Sequence, residues 1–315
     1  MKKFLNYLKS YLLNSYSLKR YSLFLLFTGL LIAINFYLDF EDEYIDAYYG
    51  QNIRILWYAL LQGIPYLACL ILFAYDAEEK FYRDKIFWLK FLIGFGILGF
   101  DRSFHYHYYF IQDLPSEIYV FVSRTIKSGS GIVTNVFLLL LVYLAIDYRK
   151  RLDRFYGFTF KDVDYKAYGY MMLLMLPLIF AASFLPDFID YYPKYKKTLG
   201  WNFASYYNLE EWIPIVIYEI AYLSDFISIE LFFRGFLILG MAPHLGKHVV
   251  LPMVCSYAVL HFGKPLGECI SSVFGGYILG VIALYSRNIW GGVVLHMGVA
   301  AFMELFAFIQ LAMRN

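Results

Sequence analysis

The chain has 315 residues, of which 61% are hydrophobic and 22% aromatic, and its mean hydropathy is +0.54. This apolar share exceeds that of ordinary soluble domains and indicates a membrane protein. The formal net charge of +2 gives no support to a nucleic-acid partner, and the three cysteines have no paired spacing that would predict a disulfide framework or a zinc ribbon.

Apolar segments long enough to cross a bilayer recur along the whole chain. A transmembrane helix needs roughly 17 to 25 mainly apolar residues. Two shorter segments, 86–100 and 249–262, are ambiguous by length, and counting both gives nine spans. The predicted fold is therefore an all-α polytopic bundle of eight or nine transmembrane helices. The seven longer segments are 21–39, 53–75, 128–147, 167–186, 212–241, 268–286 and 291–312.

The positions of the basic residues predict the orientation. With a cytoplasmic N-terminus, 17 of the 27 Lys and Arg fall on the inside and nine on the outside, while Arg234 lies within a span. This distribution follows the positive-inside rule. We therefore expect an integral protein of a bacterial plasma membrane with its N-terminus in the cytoplasm. We divide the chain into an N-terminal group of helices at 1–166 and a C-terminal core at 167–315.

Charged and imidazole side chains inside the C-terminal apolar segments are the candidate site. Glu230 and Arg234 stand four residues apart in S-I-E-L-F-F-R-G. One helix face therefore carries both, in the acid-before-base order that favours an ion pair. Charges at bilayer depth are costly and are seldom present without a use. His261 and His296 lie in the following apolar segments, and packing of these spans would bring all four side chains into one hollow.

This set of residues is suited to two kinds of chemistry. The Glu230 carboxylate can act as a general base on a water molecule, while a histidine orients that water or stabilises an oxyanion. Alternatively, Glu230, His261 and His296 could hold a zinc ion that acidifies its bound water. Both arrangements give hydrolysis, and the sequence leaves the choice between them open.

Two further features concern the helices that carry the site. Ser272, Gly276 and Gly280 follow one another at four-residue spacing, and Gly291 and Gly292 precede His296. Small residues of this kind let helices approach closely in lipid, so we expect them at helix contacts. The segment 212–241 would be about 45 Å long as one helix, which exceeds the membrane core and predicts a tilt, kink or bulge.

The order and spacing of the polar residues resemble the CPBP family of intramembrane proteases, the CAAX-prenyl-protease-like and bacteriocin-processing group. The family pattern is Glu-Glu-x-x-x-Arg, then Phe-x-x-x-His on the next span, then His-x-x-x-Asn or His-x-x-x-Asp on the last. The three motifs fall here at 229–234, 257–261 and 296–300, and the resemblance covers 210–312. Three positions differ from the pattern: Ile229 replaces the first Glu, Tyr257 the Phe and Ala300 the Asn or Asp.

The resemblance implies an intramembrane endopeptidase that hydrolyses peptide bonds of membrane-associated or prenylated, CAAX-like substrates. In this hypothesis Glu230 acts as the base and His261 orients the water. His296 stabilises the oxyanion, and Arg234 keeps the glutamate ionised. The expected partners are membrane lipids and a membrane-associated peptide or protein substrate, and zinc is the one cofactor considered.

Two other functions stay open at this point. The changes at Ile229 and Ala300 favour a catalytically impaired relative that acts as a membrane scaffold or partner-binding protein. A transporter would explain the further charges Glu219, Asp225 and Glu304 in the apolar segments, although no internal repeat of broken helices supports it.

Overall fold

The computed structural model describes residues 1–15, 17–73, 81–150 and 154–314. Within these ranges all regular structure is helical and no strand occurs, which confirms the predicted all-α class. Helices suit a lipid environment because they satisfy every backbone N–H and C=O inside the segment. The last two residues of the predicted span 53–75 and the counted cations Lys80 and Arg151 lie outside the described residues.

The described residues form ten longer helices, and shorter helical turns connect them. The ten are α1 (Lys2–Ser15), α2 (Leu18–Leu38), α3 (Ile53–Phe73), α4 (Lys85–Ser103), α5 (Ser116–Asp147), α6 (Tyr165–Ala182), α7 (Trp212–Gly240), α8 (Val250–Val259), α9 (Leu266–Ser286) and α10 (Trp290–Arg314). The shorter turns include Glu41–Ile45, Asp46–Tyr48, Phe81–Arg83, Tyr108–Ile111, Pro186–Tyr191, Lys194–Thr198, Gly200–Tyr207, Ala242–Leu245 and Gly246–Val249.

The count of membrane spans is lower than the nine predicted. Among the described residues, six helices are long and apolar enough to cross a membrane, namely α2, α3, α5, α6, α9 and α10. A seventh is present if α7 and the bent segment after it, Ala242–Val259, count as one span.

The two segments of ambiguous length fall outside these six helices. Segment 86–100 is α4, in which Lys90 is fully buried and its Nζ lies 2.7 Å from Asp147 Oδ2 on α5. The same Nζ donates to Gly240 O at 2.7 Å. The Lys90 ammonium group therefore links α4 to α5 and α7. Segment 249–262 contains α8, and all ten of its residues are buried. A ten-residue helix is about 15 Å long, too short to span, so α8 is a core helix.

The second half of α7 changes its helical geometry directly after Glu230. Leu231–Gly240 is a π-helix whose ten residues are all buried, and Trp212–Gly240 then meets Ala242–Val259 at a bend of 40°. The bulge or kink expected in 212–241 is therefore confirmed. π-Helical turns are rare and occur often at functional sites.

Glycines set the distances between the C-terminal helices. A Cβ on Gly276 would lie 2.9 Å from Tyr257 Cδ1, and one on Gly280 would lie 2.6 Å from Met253 Cε, so α9 packs closely on α8. A Cβ on Gly291 of α10 would lie 1.9 Å from Tyr168 Cε2 on α6. The prediction that these small residues lie at helix contacts is confirmed.

Large apolar side chains on the outer faces of the helices are exposed. Examples with an exposed fraction between 50% and 68% are Leu25, Leu26 and Leu30 on α2, Leu173 and Leu174 on α6, and Phe274 on α9. Such faces are stable in contact with lipid chains rather than with water. Together with the apolar helices, they show an integral membrane protein.

Candidate active site

Glu230 and Arg234 form an ion pair where the α-helical half of α7 meets its π-helical half. Arg234 Nη1 lies 2.9 Å from Glu230 Oε1, and the two side chains are 1% and 0% exposed. This is the contact that their four-residue spacing predicts. Because a buried charge without a partner is strongly unfavourable, each side chain holds the other in place.

His296 on α10 is the third member of this cluster. Its Nδ1 lies 2.9 Å from Glu230 Oε1, and since an ionised carboxylate only accepts, Nδ1 is the donor. Gly292, one turn earlier on α10, permits this approach, because a Cβ there would lie 2.8 Å from Glu230 Oε2. The carboxylate therefore joins α7 to α10.

Tyr257 on α8 links the ion pair to both histidines. Arg234 Cζ lies 4.0 Å from the centroid of the tyrosine ring, which is a cation–π contact. The tyrosine hydroxyl lies 3.3 Å from His296 Nε2, so both ring nitrogens of His296 are engaged. Sequence reasoning noted Tyr257 only as a departure from Phe, although the hydroxyl that Phe lacks is the group that reaches His296.

His261 lies in the turn that follows α8, and its ring centroid is 4.6 Å from that of Tyr257. Its Nδ1 is 2.8 Å from the Tyr257 backbone oxygen, and since a carbonyl only accepts, Nδ1 carries the proton. The pKa of His261 is lowered to about 3, mainly by burial and to a smaller extent by the charge on Lys264. Burial acts in this direction because desolvation disfavours the charged ring. The ring is therefore neutral, with a lone pair on Nε2.

Glu268, in the first turn of α9, approaches this Nε2 and was not named by sequence reasoning. Its Oε1 lies 3.9 Å from His261 Nε2, which is too long for a direct hydrogen bond. Oε1 also accepts from Lys264 Nζ at 2.6 Å, and Oε2 accepts from the Tyr192 hydroxyl at 2.7 Å. The signal that could have found Glu268 is an acidic residue at the start of an apolar segment, seven positions after His261.

The four predicted site residues therefore fall into two neighbouring groups. Glu230, Arg234 and His296 are in direct contact, whereas His261 is hydrogen-bonded to the Tyr257 backbone. Tyr257 connects the groups, with its ring centroid 4.6 Å from that of His261 and 6.2 Å from that of His296.

The zinc alternative does not fit these donors. The ligand atoms of Glu230, His261 and His296 do not all lie within 4.8 Å of one another. In the part of the chain that the structure describes, only the ligand atoms of the acidic side chains at 41, 42 and 46 are that close together. His296 also has Glu230 on one ring nitrogen and the Tyr257 hydroxyl on the other. A zinc ligand needs a ring nitrogen with a free lone pair.

Two of the three changed family positions, Ile229 and Ala300, bring no polar atom to the site. Ile229 is partly buried and packs against the apolar core. Ala300 is 4% exposed and lies one turn after His296 on α10. The carboxylate and the amide of the family pattern therefore have no side-chain substitute at their own positions.

Two of the three other carboxylates in the apolar segments have hydrogen-bond partners. Both oxygens of Glu304 accept from the backbone N of Lys194, each at 2.9 Å. Asp225 Oδ1 accepts from Ser228 Oγ at 2.9 Å. These contacts give Glu304 and Asp225 a structural use, whereas Oε1 of Glu219 is buried and makes no hydrogen bond within the described residues. The transporter alternative therefore keeps Glu219 alone in its favour.

The C-terminal part of the chain matches a protein-family model. Residues 211–302 match the family model described as Rce1-like, type II CAAX prenyl endopeptidase Rce1-like. The matched residues run from the start of α7 into α10 and include both groups of the site. The match confirms the resemblance to the CPBP proteases and supports an intramembrane protease of the CAAX type as the general class. Comparisons with curated proteins and with solved structures found no match.

Proposed function

We propose that this chain is an intramembrane endopeptidase that hydrolyses peptide bonds of membrane-associated or prenylated, CAAX-like substrates. The observation that carries the proposal is the buried cluster of Glu230, Arg234 and His296, linked through Tyr257 to His261. Ionised groups inside a membrane are costly and mark functional sites. The cluster lies within the residues that match the family model.

The chemistry we propose is attack by an activated water on the scissile carbonyl carbon. His261 Nε2 accepts a hydrogen bond from the water, and a carboxylate takes the proton. The resemblance offers Glu230 as that carboxylate. Its Oε2 has no hydrogen-bond partner among the described residues, whereas Oε1 faces Arg234 and His296.

The same cluster has donors for the oxyanion that forms at the carbonyl oxygen. Nε and Nη2 of Arg234 are buried and make no hydrogen bond within the described part of the chain. Preorganised donors at the point where negative charge develops are commonly the largest contribution to such catalysis. We assign this role to Arg234, while His296, whose Nδ1–H donates to Glu230, holds that carboxylate in place.

We place the enzyme in a bacterial plasma membrane with its N-terminus in the cytoplasm, since the distribution of Lys and Arg favours that orientation. The catalytic core is the group of helices at 167–315, and the group at 1–166 supports it.

A second candidate is a membrane scaffold without catalysis, and one observation favours it. Glu230 is 0% exposed, and Ile229 supplies no carboxylate beside it. A buried ion pair can persist in a fold because it fixes how helices dock, here α7 against α10.

Cleavage assays on the purified full-length protein separate the two candidates. The substrates are internally quenched peptides that end in CAAX-like sequences, with and without a farnesyl group on the cysteine. The protease proposal expects cleavage by the wild type, and losses of about 10²- to 10⁴-fold in Glu230→Gln and His261→Ala. Glu210→Gln, at an exposed glutamate just before α7, is the matched control and should cleave normally.

No cleavage by the wild type, or cleavage that neither variant reduces, would leave the scaffold as the better account. The same assay after dialysis against a strong chelator tests the zinc alternative. Full activity in the chelated sample is the expected result, and loss that added zinc restores would contradict the assignment of the site.

A further inference from the structure

We infer that Glu268 is a catalytic residue of this site: together with His261 it binds and deprotonates the attacking water, in place of the carboxylate that position 229 lacks. The inference rests on the proposed function and changes which acid performs it. Glu230 then positions His296 and the oxyanion donors.

The facing atoms of His261 and Glu268 are both acceptors. Nδ1 of His261 carries the proton because it donates to the Tyr257 carbonyl at 2.8 Å, so Nε2 presents a lone pair. Glu268 Oε1 lies 3.9 Å from that lone pair. A group with two protons between them would convert this unfavourable approach into two hydrogen bonds.

A water molecule is the smallest group with two protons, and it can bridge this distance with a narrowed angle. Two hydrogen bonds of about 2.8 Å to acceptors 3.9 Å apart meet at the water oxygen at about 90°, whereas a tetrahedral angle would separate the acceptors by about 4.6 Å. Both of its protons then point at protein acceptors, and its oxygen lone pairs point away from them. This is the arrangement that makes a water nucleophilic, since the carboxylate can remove one proton while the imidazole holds the other.

Neighbouring side chains hold the Glu268 carboxylate in position. Lys264 Nζ donates to Oε1 at 2.6 Å and the Tyr192 hydroxyl donates to Oε2 at 2.7 Å. The Lys264 charge favours the ionised carboxylate, which a general base must be. Tyr192 is 1% exposed, so its hydroxyl is a rigid support.

Access to water also favours Glu268 over Glu230. The Glu268 side chain is 16% exposed, and Lys264 beside it is 22% exposed. The Glu230 side chain is 0% exposed, and its Oε1 already faces Arg234 and His296. A base that receives a new water in every turnover needs an accessible surface, which the Glu268 side chain has and the Glu230 side chain lacks.

The proposed step conserves atoms and charge. One O–H bond of the water breaks, and its proton moves to Glu268 Oε1. The water oxygen forms a bond to the carbonyl carbon, and the π electrons move to the carbonyl oxygen. When the intermediate collapses, the C–N bond breaks and Glu268 returns the proton to the leaving amine.

The test compares Glu268→Gln with wild type in the same peptide assay. Glutamine has almost the same shape and still accepts from Tyr192, but it cannot take a proton. We expect kcat to fall about 10²- to 10⁴-fold while KM changes less than about threefold and the unfolding midpoint in detergent stays within error. Glu210→Gln, the exposed control, should keep its kcat.

The outcomes separate this inference from the proposed function. If the wild type cleaves and Glu268→Gln retains kcat within about threefold, Glu268 is not the base, and the protease assignment stands with Glu230. If the wild type cleaves none of the peptides, the proposed function fails, and the role of Glu268 fails with it.

A second variant keeps the test valid if Glu268→Gln does not fold. Glu268→Asp retains the charge and its pairing with Lys264, but it withdraws the carboxylate by one methylene. We expect it to fold and to cleave with kcat about 10- to 100-fold below wild type, since proton transfer depends on reach. An unchanged kcat in this variant would refute direct contact between Glu268 and the water.

Discussion

Replacement of Arg234 by methionine is the sharpest test of the ion pair in α7. The guanidinium and the Glu230 carboxylate lie 2.9 Å apart, with exposed fractions of 1% and 0%. At an effective dielectric constant of 20, Coulomb attraction over that distance amounts to about 6 kcal/mol. Measured losses on breaking a buried pair are about 3–5 kcal/mol, and we expect Arg234→Met to lower the free energy of unfolding by that amount.

The double variant Glu230→Gln, Arg234→Met provides the comparison. With both charges removed, no buried ion is left without a partner, and we expect the free energy of unfolding to return to within about 1 kcal/mol of wild type. Arg124→Met, at an exposed arginine on α5, should change it by less than about 0.5 kcal/mol. Reversible unfolding in mixed detergent micelles, followed by tryptophan fluorescence, measures all four proteins.

Two results would refute this reasoning. A loss below about 1 kcal/mol in the single variant would mean that water or another group compensates Glu230. A double variant as unstable as the single one would mean that the arginine acts through its packing on Tyr257 rather than through its charge.

Two further predictions concern stability. Gly291→Ala would place a Cβ 1.9 Å from Tyr168 Cε2, and overpacking of this kind costs about 1–3 kcal/mol. The matched control is Gly275→Ala, since a Cβ at that position would meet nothing within 4 Å. Equal stability of the Gly291→Ala and Gly275→Ala variants would contradict the close contact of α10 with α6. Burial, followed by the Asp46 carboxylate, raises the pKa of Glu41 from 4.5 to about 7, so between these pH values the folded state binds more protons than the unfolded state. The free energy of unfolding should therefore fall as the pH rises through that window. Glu41→Gln should flatten this pH dependence. Identical slopes of unfolding free energy against pH for the wild type and Glu41→Gln would show that Glu41 titrates normally.

The assignment of Glu268 gives a reason why position 229 can be apolar. In the family pattern two glutamates are consecutive residues of one helix, and consecutive side chains point in directions about 100° apart. Here the ion-pair glutamate remains as Glu230, and Ile229 packs against the core. A carboxylate on α9 can serve the same histidine because α9 starts beside the turn that carries His261.

The sequence by itself determined the features that depend on composition and on short spacing. Its apolar content and run lengths predicted an all-α membrane protein, and the four-residue step from Glu230 to Arg234 predicted their ion pair. The order of three motifs predicted the relationship that the family match to 211–302 confirms. Each of these follows from helix periodicity or from desolvation cost, which act within one segment.

The tertiary structure decided which polar groups meet and which helices are covered by others. Lys90 of α4 binds Asp147 of α5, and all residues of α8 are buried among other helices. No local rule foresees the contact of His296 with Glu230, 66 positions earlier. The pairing of His261 with Glu268 likewise depends on a turn between two helices, where periodicity ends and the direction of the chain is set by packing.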